Sequence, residues 1–175
     1  AKYLAQGTLE SASWFGPSLA EAVHICKVNA SAGLSARPTM SFWAIHGSLS
    51  LVETAARVES HVTSLLESGV VEALDYACVN DFSFTEKSVS SEAAGAVVAL
   101  VGRNEGGKTL SSSTVAAVLN TFAVFFDSTS MWYTIPAARV LVIIRRVAIM
   151  TIADANKAEV VHAGIVQRLE YARVQ

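Results

Sequence analysis

Charge is scarce in this chain, and what there is nearly cancels: Asp, Glu, Lys and Arg make up 16% of the 175 residues, and the formal net charge is -2. No surplus of Lys and Arg exists to neutralise a phosphate backbone, which argues against nucleic acid as a partner and gives no attraction to anionic lipid. Cysteine is nearly absent. Cys26 and Cys78 lie far apart in apolar stretches, with no C-x-x-C or Cys/His spacing, so buried thiols are expected instead of a disulfide or a metal site. Long hydrophobic runs are missing too, although the mean hydropathy is +0.42. The aliphatic run Val140 to Ile144 stops at Arg145 and Arg146, far short of the ~20 residues a membrane helix needs. Residues 1 to 20 hold Lys2, Glu10 and scattered Ser and Gly with no sustained apolar stretch, so no signal peptide is read and a cytoplasmic, reducing setting is expected.

What the chain has in quantity is apolar side chains, 52% of the total. That is enough for a sizeable core and rules out disorder as the main state. The chain begins with Ala and ends at Gln175 inside a helical pattern, which reads as a piece of a longer protein.

The strongest internal signal is a repeat. Leu66-Glu67-Ser68-Gly69-Val70-Val71-Glu72-Ala73-Leu74-Asp75-Tyr76-Ala77 reappears as Val161-His162-Ala163-Gly164-Ile165-Val166-Gln167-Arg168-Leu169-Glu170-Tyr171-Ala172. The offset between Gly69 and Gly164 is 95 residues, about twice the 40 to 47 residues of HEAT and armadillo units, so one more copy is expected between them. Leu110 to Leu119 keeps the apolar spacing with Ser113 in place of the glycine, and Ser18 to Cys26 is a fainter copy. The glycine would let two short helices meet sharply, through a positive φ or a close backbone approach. Before each corner lies a longer helical pattern. Ala93, Val97, Leu100 and Val101 share one face, and Ala137 to Ala153 is so apolar that a helix sandwiched between neighbours is expected. Pro17 and Pro136 fit first-turn positions, where a missing N–H costs little.

These residues resemble the armadillo family. Glu92 to Val97, running on to Asn104, Glu105, Lys108 and Leu110, is similar to the third helix of one armadillo repeat leading into the first helix of the next. Ile152 to Val166, with Asn156-Lys157 and then Ala163-Gly164, resembles the family's junction most closely. The resemblance covers residues 56 to 175 well and 14 to 55 loosely. It implies an all-α fold, a right-handed α-solenoid of about three to four armadillo- or HEAT-like repeats in one domain spanning 1–175. Its parts would be a weak repeat at 14–55, clearer repeats at 56–110 and 110–155, and an incomplete one at 156–175. It also implies a scaffold that binds a partner protein or peptide and is not an enzyme, with no cofactor or metal. The Trp and Asn ladder of nuclear-import receptors is missing: only Trp43 suits a Trp position, and the Asn positions fall near Gly47, Ala99 and Thr151.

Trp43, Arg139, Arg145 and Arg146 are the expected binding residues. An arginine on the concave face could meet a partner's carboxylates with two parallel hydrogen bonds; equally, the three arginines could pair with acids of the chain itself. Trp132 and Tyr133 are further aromatic anchors or core residues. Uncapped ends of a solenoid would expose apolar side chains, so self-association is expected as well.

Two other readings compete. Gly102-Arg103-Asn104-Glu105-Gly106-Gly107-Lys108-Thr109 is a literal G-x-x-x-x-G-K-T phosphate loop. That reading needs Val97 to Val101 as the preceding strand and Phe122 to Asp127 as a strand ending in a magnesium-binding acid. Against it, Ser90 to Ala96 is Ala-rich and favours helix. A permanent structural subunit of a large assembly would share the scaffold's fold. His24, His46, His61 and His162 have no ligand spacing, the serines form no G-x-S-x-G elbow, and Asp75 and Glu170 sit at matched repeat positions, as structural or solvent-facing residues do. Ser111 to Ser113 suit a helix cap.

Overall fold

The computed structural model describes residues 15–31, 42–79, 89–103, 107–127 and 137–174. Among the described residues every regular element is helical: α1 (Phe15–Ser31), α2 (Phe42–Ala55), α3 (Glu59–Glu67), α4 (Val70–Val79), α5 (Val89–Val101), α6 (Ser112–Asp127), α7 (Ala137–Met150), α8 (Asp154–His162) and α9 (Ile165–Val174). Pro17 falls in the first turn of α1. No helix among them is long and apolar enough to cross a membrane.

The two matched glycines sit where the repeat places them. Gly69 (φ +72°) separates the short helices α3 and α4, and Gly164 (φ +86°) separates α8 and α9. A Cβ on Gly69 would have no neighbour closer than 3.8 Å, and one on Gly164 none closer than 3.6 Å. Space is therefore free at both corners. The left-handed backbone, which strains any residue with a Cβ, is what demands glycine. At the first corner Ser68 assists: its N–H donates to the Ser64 carbonyl (3.0 Å), and its hydroxyl donates to the Leu65 carbonyl (2.7 Å). The Lys27 ammonium of α1 donates to the Ser68 carbonyl (3.0 Å), tying α1 to this helix end. Such donors satisfy the carbonyls that a helix C-terminus leaves open.

The intermediate copy differs from expectation. Residues 108–111 contain no helix, so α6 begins directly after a short irregular stretch. Ser111, immediately before α6, accepts the Thr114 N–H on its hydroxyl (3.2 Å), which is a serine cap. Ser111 and Thr114 both donate to Asp75 Oδ1 of α4 (2.8 and 2.6 Å), which pins the start of α6 to its neighbour. Asp75 thus has a structural role. Asn156 of α8 does similar work across the junction between α5 and α6. Only 1% exposed, it donates to the Gly102 carbonyl and accepts the Leu110 N–H, both at 3.0 Å. One amide side chain supplies the donor and the acceptor that two buried backbone groups require.

Packing follows two rows. In the first, α1 lies against α4, α4 against α6, and α6 against α9; in the second, α2 lies against α5 and α5 against α7. The rows contact each other chiefly through α1 with α2, α4 with α5, α5 with α6, and α6 with α7. The core runs between them. Ala93, Ala94, Ala96, Val97, Val98, Leu100 and Val101 of α5 are all buried, because α5 has α2 on one side and α7 on the other. Its small side chains let three helices approach closely. The expectation that α7 is likewise enclosed does not hold: Leu141 is 66% exposed and Ile144 45%, while among the described residues α7 packs chiefly against α6, α5 and α8. Both cysteines are free and buried, and burial pushes each thiol up to about 12.

Candidate protein-binding surface

The row α2, α5, α7 carries all four residues singled out from the sequence, and the structure separates them. Trp43 lies near the start of α2 and Arg139 near the start of α7; their side chains fall outside the described residues. Trp132 and Tyr133 lie outside them entirely. Arg145 is exposed on α7, where a carboxylate from outside can reach it. Its neighbour Arg146 is not so placed. Successive residues on a helix point about 100° apart, and Arg146 turns inward to 6% exposure.

Arg146 meets its acids inside the chain. Its Nη2 donates to Glu53 Oε2 of α2 (2.9 Å) and to Glu92 Oε2 of α5 (3.4 Å), while Nη1 donates to the Ser91 carbonyl (3.1 Å) and hydroxyl (3.4 Å). Arg146 as a hot spot for a partner's carboxylate therefore gives way to an internal pairing, the second of the two uses foreseen for these arginines. Removing the guanidinium from water is tolerable only with such compensation. Glu53 is held from both sides, because Arg57 Nη2 also donates to its Oε1 (2.7 Å). Burial pushes the Glu53 carboxyl up, but the charges and hydrogen bonds of Arg146 and Arg57 outweigh that and leave it below its ordinary value. For Arg146, burial pulls the guanidinium down, and Glu53 with Glu92 more than reverses this, holding it above its ordinary value. At the solvent edge of the same group, His46 Nε2 approaches Glu92 Oε1 at 3.8 Å.

Gly95 makes this network geometrically permissible. Arg146 must pass over α5 to reach α2, and it does so across Gly95, where a Cβ would fall inside the guanidinium. The arginine Nε pressed against that point has no hydrogen-bond partner among the described residues. Sequence reasoning missed Glu53, Glu92 and Gly95 as members of one group. A lone Arg within an apolar helix does signal that an acid must be nearby, but Glu53 is 93 positions away and nothing local identifies it.

The phosphate-loop reading loses its scaffold. Val97 to Val101 is the end of α5 and Phe122 to Asp127 belongs to α6, so neither of the required strands forms. Lys108 Nζ donates to Glu72 Oε1 (2.8 Å). Among the described residues no three His, Cys, Asp or Glu side chains come together as a metal site. What this row of helices offers chemically is an exposed Arg145 beside a group in which Arg57 and Arg146 balance Glu53 and Glu92. Compared with known proteins, the chain matches no family model, no curated protein and no solved structure.

Proposed function

We propose that the chain is a segment of an armadillo-like solenoid that serves as a scaffold for a partner protein or peptide. The observation that carries this reading is the pair of helix rows, α1-α4-α6-α9 and α2-α5-α7, with glycine corners of the same backbone conformation 95 residues apart. Stacked units of this kind bury one face on each neighbour and leave an extended surface along each row. Helices packed against their neighbours hold surface residues in place, which lowers the entropy lost on binding. The row α2-α5-α7 is the surface of choice: Trp43, Arg139 and Arg145 lie along it, and Arg146 acts beneath it as a tie between helices.

The test is affinity capture with the purified chain as bait. The reading expects a saturable partner that is retained by the wild type and lost with Trp43→Ala/Arg139→Glu, while the far-UV circular dichroism of the variant stays helical. Capture that the double variant leaves intact would place the binding face elsewhere and overturn the assignment of this row.

A further inference from the structure

In a stack of helical units each unit touches the one before it and the one after it, so stability is close to a sum of separate units and nearest-neighbour contacts. Two polar ties follow that rule. Asp75 of α4 accepts from Ser111 and Thr114 around the start of α6, and Arg168 of α9 donates to the Leu119 carbonyl of α6 (2.8 Å), each joining a helix to the next in its row. Arg146 departs from it. Helix α2 packs chiefly against α1 and α5, and α7 against α6, α5 and α8, so α5 stands between α2 and α7. Arg146 of α7 nevertheless reaches Glu53 of α2 (2.9 Å), 93 positions away in sequence and one whole helix away in the row.

The bond is anchored along its whole length. Helix α5 leaves a passage at Gly95, where a Cβ would overlap the guanidinium. On the way, Nη1 of Arg146 donates to the Ser91 carbonyl (3.1 Å) and Nη2 to Glu92 (3.4 Å), so the middle helix is gripped as well. At the far end Glu53 is 7% exposed, and Arg57, in the turn after α2, holds its second oxygen (2.7 Å). Departure of α7 alone would leave Glu53 with one arginine in place of two. That penalises any state in which α7 is open while α2 and α5 stay closed.

We propose that this strap makes α2, α5 and α7 open and close as one cooperative unit, so that a perturbation at one end of the row is felt at the other. A stack held by nearest neighbours alone lets its less covered helices open separately, at lower free energy than the rest. Helix α7, with Leu141 66% and Ile144 45% exposed, is the helix of this row most open to such fraying, and it is the one the strap holds. The inference goes beyond the scaffold reading, since it depends on this row of helices and on no partner.

Amide hydrogen exchange of the whole chain under native conditions, followed by mass spectrometry, tests it with a mild perturbation of α7. Ile143 of α7 is 4% exposed, and Ile143→Val removes one methylene from the core. With the strap intact, the best-protected amides of α2 are expected to lose protection about fivefold, together with those of α7. In the Arg146→Met/Glu53→Leu background, which replaces the charges with apolar side chains, the same substitution is expected to lower protection in α7 and leave α2 unchanged. Transmission to α2 in both backgrounds would mean that packing between neighbours alone couples the row, and transmission in neither would mean that α7 opens by itself despite the strap. Either result overturns the proposal. If circular dichroism shows that the double background does not fold, Gly95→Ala, which displaces the guanidinium and leaves both acids in place, takes its role with the same expected outcome.

Discussion

The guanidinium of Arg146 lies across the α-carbon of Gly95, in the space a side chain on that residue would take. Through this notch α7 reaches past α5 and meets Glu53 of α2 at 2.9 Å, so one side chain ties together three helices of a row. The relationship sets the sign of a substitution that helix propensity alone gets wrong.

Gly95→Ala would ordinarily stabilise a helix interior by about 0.5–1 kcal/mol. Here the methyl group evicts Arg146 from its acids, and the expected outcome is a loss of roughly 2–4 kcal/mol, of the size that breaking a buried ion pair brings. Urea denaturation decides it: a midpoint at or above the wild-type value would mean that the guanidinium has another resting place.

Arg146→Met alone leaves Glu53 buried with one partner fewer, and a destabilisation of about 3 kcal/mol is expected. The double change Arg146→Met/Glu53→Leu removes both charges and should recover most of that loss, because a packed apolar pair is often as stable as a buried salt bridge. If the double variant is no better than the sum of the single ones, the two residues do not act as a pair.

The same carboxylate gives a dependence on pH. Glu53 is held below its ordinary value of 4.5. Its stabilising contribution is therefore present above that value and is lost as the pH falls through the lower folded value. Denaturation of wild type and Glu53→Gln in parallel should show a gap that is widest near neutrality and closes in acid. A gap of constant width would mean that ionisation of Glu53 is not the cause.

At the two corners, Gly69→Ala and Gly164→Ala force a residue with a Cβ into the left-handed region, with an expected loss of about 1–2 kcal/mol each. Asparagine, which tolerates that conformation better, should cost less at both sites. Neither corner is crowded, so thermal melting that ranks Gly above Asn above Ala separates backbone strain from a steric clash.

Adding magnesium with ATP or GTP is expected to leave the melting temperature unchanged, because the segment before Gly102 is helix and the Lys108 ammonium is paired with Glu72. A ligand that binds the folded state must raise the melting temperature. A rise that disappears in Lys108→Ala would restore the phosphate-loop reading.

The all-helical character is legible in the sequence, as are the glycine corners at 69 and 164, the serine cap before α6 and the burial of both cysteines. All depend on local rules: hydrophobic period, backbone freedom without a Cβ, and side chains that reach their own backbone. Asn156-Lys157 stood out in the sequence, but nothing there showed the bonds of Asn156 to Gly102 and Leu110. The full enclosure expected for α7 failed for a reason composition cannot express. An apolar helix can be inside a stack or at its edge, and only its neighbours decide which.

Local chemistry along the chain thus determined what kind of elements form and where they break. Tertiary structure alone decided that Arg146 faces inward to Glu53 while Arg145 faces outward, and that Leu74 is buried while its repeat counterpart Leu169 is exposed. Periodicity fixes which residues share a face of a helix, whereas burial and charge pairing depend on segments tens of residues away, brought alongside by folding.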